Sequence, residues 1–501
     1  MEVLPRDPYN EQLVANVHPA DWQNPPPAGR YNLVAIGGGT AGLVSAIGTA
    51  GLGGRAALIE RQLLGGDCLN VGCVPSKALI RAARAAHQAA IAGQFGVHGS
   101  QLATVDFPAV MERMRRLRAG ISPHDSARRF RDSGVDVFLG RATFTGPDTL
   151  TVGGQTLRFS RAVIATGGHA AAPPIEGLEN AGYLTNETIF SMTSLPRRLI
   201  IIGGGPIGSE LAQAFCRFGS EVHVVHRPAV LLKKEEPDAA SLLGAQFQRE
   251  GIQLHLGWHP IRVGREAGTK RVVIQNGSDQ KELIGDEILV AVGRKPNVEG
   301  LGLEAAGVAY HKAGIEVDDF LRTSNRRIYA AGDCCTRYQF THAADAMARI
   351  CIRNALFLGR ARFSSLVIPR CTYTDPDIAA VGLTAAEAQK LNIPIDTFRV
   401  ELTSVDRAVL DGEENGFAMV HTRKGKDQIV GATIVAAHAG EMIGEITLLM
   451  TRRLGLKSLG DVIHCYPTQV EVLKRIADLY SRSRLTPTVA ALMRKWLAWR
   501  R

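Results

Sequence analysis

Two cysteines separated by four residues lie in Gly65-Gly66-Asp67-Cys68-Leu69-Asn70-Val71-Gly72-Cys73-Val74-Pro75-Ser76-Lys77. On a glycine-bordered turn entering a helix, such a pair can close a small disulfide ring. A thiolate there is stabilised by the helix dipole and by unpaired backbone N–H groups. Beside an electron donor, Cys68 and Cys73 form a redox couple. The spacing alone is equally compatible with two buried cysteines acting as small hydrophobes. The preceding sequence distinguishes the two readings.

Residues 31–36 read as a buried strand, followed by Gly37-Gly38-Gly39-Thr40-Ala41-Gly42 and an Ala-rich helix. Gly37, Gly39 and Gly42 fit a dinucleotide fingerprint, in which the glycines allow a tight turn, close approach to a pyrophosphate and close helix–strand packing. The next strand, 56–59, ends in Glu60, an acid suited to ribose hydroxyls. The design recurs: strand 199–202, then Gly203, Gly205 and Gly208, a helix through Glu210 to Phe218, and strand 221–225. This second copy ends in His226-Arg227 instead of an acid. An acid favours a free 2′-hydroxyl, whereas a neutral or cationic pair favours a 2′-phosphate, so NADPH is expected over NADH. Arg227 is the first candidate phosphate ligand, with His226, Lys233 and Lys234 nearby. Three further short strands end in small or acidic residues, at Thr166-Gly167, Gly293 and Asp333. Each offers backbone at a strand's carboxyl end, where open α/β sheets bind ligands. After about residue 366 the texture changes to Val/Ile/Thr strands mixed with amphipathic helices, a separate α+β domain.

These motifs need a scaffold, and 501 residues suffice for about three domains. The chain is 45% hydrophobic and carries a formal charge of +10. No nucleic-acid motif accompanies that charge, so Arg113, Arg115, Arg116 and Arg118, with Arg128, Arg129 and Arg131, are read as a solvated helical face. The eight cysteines do not form the dense framework of a small secreted protein. Residues 1–29 are polar and end in Pro25-Pro26-Pro27, which suits an extended leader outside the core. With neither an apolar signal segment nor a membrane-spanning run, the expected location is cytoplasmic.

Together these segments resemble the FAD-dependent pyridine nucleotide-disulfide oxidoreductases, from about residue 30 to about 480. Within that family the Gly66–Lys77 stretch, Ala331-Gly332-Asp333-Cys334 and the Tyr466 segment look most like mercuric reductase and its relatives. The resemblance implies an α/β fold: two Rossmann-like dinucleotide-binding domains plus a C-terminal α+β dimerisation domain. Its implied spans are an N-terminal extension (1–29), an FAD-binding domain in two parts (30–178 and 294–365), an NAD(P)H-binding domain (179–293), a dimerisation domain (366–485) and a basic tail (486–501). It implies that Gly37, Gly39, Gly42 and Glu60 hold the adenosine half of FAD. Ala142, Thr166 and Gly167 would lie along the same cofactor, with Asp333 bonding its ribityl chain. Gly203, Gly205, Gly208 and Gly293 would bind NADPH with His226 and Arg227. Lys77 matches the family lysine beside the flavin, and Glu210 its partner. Electrons would pass from NADPH through FAD to the Cys68–Cys73 disulfide, with Cys73 against the ring and Cys68 facing substrate.

In the family's disulfide reductases a His-Pro-Thr segment of the partner subunit supplies a proton-shuttling histidine backed by a glutamate. Here Tyr466 stands in its place within His464-Cys465-Tyr466-Pro467-Thr468-Gln469-Val470-Glu471, with Glu471 retained. Tyrosine, with a reference pKa near 10, shuttles protons poorly at neutrality, and His464 is the alternative base. A tyrosine here resembles mercuric reductase, but residues 493–501 lack the vicinal cysteines by which those enzymes deliver Hg(II). Cys465 is a soft-ligand candidate, and Cys334-Cys335 is expected to be buried near FAD. The expected function is an NADPH-dependent homodimeric oxidoreductase reducing Hg(II) or another thiol-reactive or disulfide substrate. The alternatives are reduction of a quinone or small electrophile at FAD, and a low-turnover flavin redox sensor. The Trp-bearing tail is expected to pack on its own subunit in preference to an anionic membrane surface.

Overall fold

Strand Arg30–Ile36 is flanked in parallel by Ala56–Glu60 on one side and Gln155–Ile164 on the other, with Ile36 opposite both Ile59 and Ile164. A computed structural model describes residues 2–99, 104–266 and 268–501. Every residue of Ala56–Glu60 is buried, as expected of a strand covered on both faces. Val135–Leu139 extends the sheet beyond Ala56–Glu60, and Ile328–Ala330 joins it on Gln155–Ile164, both in parallel. A second parallel sheet runs in the order 253–256, 221–226, 198–202, 287–290. The two glycine turns therefore leave the central strands of two doubly wound sheets.

The chain divides into two compact units. The first holds both parallel sheets, residues 1–227 and 250–366. The second gathers 367–501 with 228–249 around an antiparallel sheet ordered 370–372, 377–382, 429–436, 417–423, 395–401. The sequence reading put 228–249 in the NAD(P)H-binding span. Within the second unit that segment is held by the ion pair Arg370–Glu235, at 2.7 Å, and by a 3.0 Å contact from His421 to buried Glu236.

Three expectations change. Residues 1–29 are not an extended leader: Pro8–Val17 is a helix, capped by the Asp7 side chain, whose Leu13 and Val17 are fully buried in the first unit's core. Its polar look concealed an inward stripe of Asn10, Leu13 and Val17 at helical spacing. The arginines of helix Phe107–Ile121 are not all solvated, since Arg115 and Arg118 are buried. Arg115 pairs with Asp7, and Arg118 donates to the Asn10 side chain at 2.7 Å and the Asn70 carbonyl at 2.6 Å. Finally, the tail is a helix, Pro487–Trp499, that buries none of its residues. Among the described residues, no helix is long and apolar enough to cross a membrane.

Candidate active site

The redox stretch folds as a short helix, Gly66–Asn70, followed at Cys73 by the long helix Cys73–Ile91. Gly65 and Gly66 take positive φ, +88° and +56°, which turns the chain into the first helix. Gly72 must lack a side chain, because a Cβ there would sit 2.7 Å from the Asp67 carbonyl oxygen. Cys68 thus rides the short helix while Cys73 opens the long one, where N–H groups are unsatisfied. Both are free cysteines. Cys68 donates a hydrogen bond to the Cys73 sulfur, which lies 3.5 Å from the Thr341 hydroxyl. That donated bond, more than the Thr341 contact or the Lys77 charge, lowers the Cys73 pKa to about 6 against the opposing effect of burial. Cys68, holding the proton and partly buried, is pushed well above the ordinary thiol range.

Lys77 lies one helical turn beyond Cys73. Its Nζ is 2.8 Å from Oε2 of Glu210, which projects from helix Pro206–Phe218 and is buried. The pair joins the helix that Cys73 opens to the helix of the second fingerprint. Beneath the redox helices, buried Arg118 supports the Asn70 carbonyl while the Asn70 amide caps the Leu64 and Gly66 carbonyls. The N-terminal helix therefore helps to position Cys68.

The first glycine turn borders a cleft open to solvent. Gly37, Gly39, Glu60, Ala142, Thr166 and Gly167 all line it. Gly37 has φ +108°, and a Cβ there would meet the Ala165 oxygen at 2.3 Å; one on Gly42 would lie 1.7 Å from the Gly37 oxygen. Glu60 accepts the Gly38 and Gln62 N–H groups, each at 2.6 Å, yet burial outweighs those bonds and raises its pKa. Asp333 does not line this cleft; its carboxylate is 3.3 Å from the Arg294 guanidinium. Arg294 also pairs with Asp67, beside Cys68, and donates to the Gly168 carbonyl at 2.7 Å. Burial works against its charge, but the two carboxylates prevail and raise its pKa.

The second turn repeats the first in detail. Gly203 has φ +122°, and its Cβ would meet the Ala291 oxygen at 2.3 Å; a Cβ on Gly208 would lie 1.9 Å from the Gly203 oxygen. Gly205 caps the helix and has nothing within 4 Å of an added Cβ, which leaves room for backbone approach. Gly293 has φ +136° and follows the strand Glu287–Val290. His226 takes the place of Glu60: its Nδ1 accepts the Gly204 N–H at 3.0 Å. Arg227 is exposed.

In the second unit, Tyr466 is 71% exposed and its hydroxyl donates to Asp406 at 2.8 Å, which raises its pKa. The expected support by Glu471 is not what the structure has: that carboxylate, at the head of helix Glu471–Ser483, binds Arg475 one turn along at 3.2 Å. Nor is His464 an exposed substitute base, since its side chain is 4% accessible and lies 3.2 Å from Glu445. Cys465 is exposed, whereas Cys334 is buried.

The pyridine nucleotide-disulphide oxidoreductase family model matches residues 31–348, and that family's dimerisation domain matches residues 368–477. The chain belongs to this family. A mercuric reductase of Streptomyces lividans is 34% identical over 459 residues, covering 90% of this chain and 96% of the relative. A dihydrolipoyl dehydrogenase of Chlamydia muridarum is 32% identical over 452 residues, covering 88% and 95%. Among solved structures, LpdA of Mycobacterium tuberculosis superposes with a TM-score of 0.82 at 26% identity, covering 90% of this chain and 99% of that one. The HOCl-induced flavoprotein disulfide reductase RclA of Escherichia coli gives 0.79 at 26% identity, covering 90% and all of that chain. Relatives of different specificity are thus similarly near.

As a member of a family that contains FAD and uses NAD(P)H, this oxidoreductase needs two dinucleotide sites, and its residues fit them: two cradles that a Cβ would fill, and one acid-lined cleft. The matched dimerisation domain supports a homodimer. Sequence reasoning missed Arg294, Thr341 and Asn297, whose amide donates to the Thr166 carbonyl at 2.8 Å and whose own carbonyl accepts the Thr166 hydroxyl at 2.7 Å. Arg294 directly follows Gly293, so proximity to the glycine was its only sequence signal.

Proposed function

We propose that this flavoprotein is an NADPH-dependent reductase of a thiol-reactive acceptor, with Hg(II) as the leading candidate and small disulfides next. The observation that carries the reading is the hydrogen-bonded Cys68–Cys73 pair at a helix N-terminus, one turn from the Lys77–Glu210 ion pair. In this reading Gly37, Gly39, Gly42, Glu60, Ala142, Thr166 and Gly167 hold FAD, while Gly203, Gly205, Gly208 and Gly293 hold NADPH. When bound, FAD converts the hydride of a nicotinamide into an electron pair for sulfur. Lys77 supplies positive charge beside it, with Glu210 limiting the cost of burying that charge. Cys73 holds the thiolate, and Cys68 holds the proton and meets the acceptor.

The cofactor preference rests on His226. An imidazole that accepts at Nδ1 carries its proton on Nε2, so it adds a donor where Glu60 is an acceptor only. Arg227 follows it as an exposed cation. Both features suit a 2′-phosphate. The acceptor preference rests on Tyr466. A phenol with its pKa raised by Asp406 is a poor proton shuttle near neutrality, which disfavours acceptors that must be protonated at sulfur. A thiophilic metal ion needs no such proton: NADPH and Hg(II) give NADP⁺, Hg(0) and one released proton, and two thiolates suit a soft cation.

The test is an anaerobic NADPH titration of the yellow protein, then Hg(II) with excess thiol, for the native chain and Cys68→Ser. The variant should keep its flavin and its reduction by NADPH while losing Hg(II)-dependent NADPH consumption by about a hundredfold or more. Full turnover in Cys68→Ser would overturn the dithiol route and favour an acceptor, such as a quinone, reduced at the flavin.

A further inference from the structure

The helix Pro487–Trp499 lies beyond the matched dimerisation domain, which ends at 477, and the functional reading leaves it unused. Thr486 caps it, accepting the Val489 N–H at 3.3 Å, and Pro487 occupies its first turn. It has the start signals of a formed helix. Its large apolar side chains are nonetheless exposed: Leu492 is 69% accessible, Trp496 56%, Leu497 61% and Trp499 75%. At 3.6 residues per turn, Val489, Leu492, Met493, Trp496, Leu497 and Trp499 fall within an arc of about 160° centred near Trp496 and Val489. Arg494 and Lys495 project from the opposite face. Residues 482–501 contain six cations (Arg482, Arg484, Arg494, Lys495, Arg500, Arg501) and no Asp or Glu.

We propose that this helix docks in the plane of an anionic lipid surface, burying the Trp496/Trp499 face at the headgroup boundary with its cations against lipid phosphates. A large apolar arc bearing Trp and Leu, a Lys/Arg polar face and no acid is the pattern of an interfacial helix. Indole rings favour the membrane–water boundary, where one edge is apolar and the other wet. Charge decides between this occupant and a second copy of the same helix: two such tails together would juxtapose cations without a compensating anion, whereas an anionic leaflet compensates all of them. The inference is independent of the electron acceptor, and it makes this a peripheral enzyme rather than a spanning one.

The test is co-sedimentation of the full-length, flavin-loaded protein with phosphatidylcholine vesicles, with and without phosphatidylglycerol. The native chain should bind the anionic vesicles, release at high salt, and show a blue shift of tryptophan emission. Trp496→Ala with Trp499→Ala should weaken binding by about tenfold or more. Arg494→Gln with Lys495→Gln should weaken it by roughly tenfold or more on anionic vesicles and little on neutral ones. Flavin absorbance and NADPH oxidation with a soluble acceptor should be unchanged in both, which shows that the variants fold. Absence of binding by the native chain would overturn the proposal. So would equal binding by the tryptophan variant, or a tail deletion that lowers only the oligomeric mass, which would assign the face to a second copy.

Discussion

Replacing Lys77 with Met tests whether the structure explains the reactivity of the dithiol. Cys73 owes its pKa of about 6 first to the bond from Cys68, then to Thr341 and Lys77, with Glu210 and burial opposing. Lys77 is four residues along the same helix, a separation of roughly 5–6 Å between Cβ atoms. An opposite charge at that range shifts a pKa by about 1–3. Taking the lower part of that range, because the Lys77 side chain is 35% accessible and partly screened, moves Cys73 to about 7–8. A group with a depressed pKa is ionised above it, so the thiolate fraction of the native protein stays high as pH falls and halves near 6. At pH 6 the variant would hold roughly 1–10% thiolate, and Cys73 alkylation should slow about 5- to 50-fold. The loss should shrink to a few-fold above about pH 8. The assay is iodoacetamide trapping of the reduced protein from about pH 4 to 9, with the Cys73 peptide read by mass. Lys77→Arg should retain most of the native profile, and Lys77→Met with Glu210→Gln should recover part of it, since Glu210 opposes the thiolate. An unchanged midpoint in Lys77→Met would refute the assignment of Lys77 to thiolate stabilisation.

Two further outcomes follow from the same contacts. His226→Glu recreates the acid of the first fingerprint in the second, so kcat/KM for NADPH should fall at least tenfold, about 1.4 kcal/mol, while that for NADH holds or rises; an unaltered ratio would remove His226 from cofactor choice. Arg118→Leu leaves the Asn70 carbonyl and the Asn10 side chain without their donor, each worth about 1–3 kcal/mol. Relief of a guanidinium whose pKa burial and Arg115 hold down to about 10 offsets part of this. A net loss of about 2 kcal/mol should lower the melting temperature by about 2–3 °C and raise Cys68 alkylation, whereas native values for both would separate the N-terminal helix from the redox site.

The local pieces were legible because each depends on contacts between near neighbours. A glycine that must take φ near +108° or +122° to close a tight turn declares itself by residue type, as Gly37 and Gly203 do. Ala56–Glu60 reads as a buried strand because its apolar run has no exposed face. The cysteine spacing and Lys77 one turn later are likewise local. What the sequence alone determined was therefore the two glycine turns, the placement of Cys68, Cys73 and Lys77 along one glycine-bordered helical stretch, and the change of texture near residue 366.

Everything set by contacts distant in sequence required the tertiary structure. Arg118 looks like surface charge until its acceptors, 48 and 108 residues away, are seen to enclose it. Arg294 is unremarkable until Asp67, 227 residues earlier, meets it beside Cys68. Glu471 looked like the partner of position 466 by resemblance to the family's glutamate-backed histidine, yet Asp406, 60 residues earlier, takes the Tyr466 hydroxyl. The physical reason is common to all three: a charged side chain is exposed or buried according to whether folding brings it a partner of suitable geometry, and residue type alone does not record that partner.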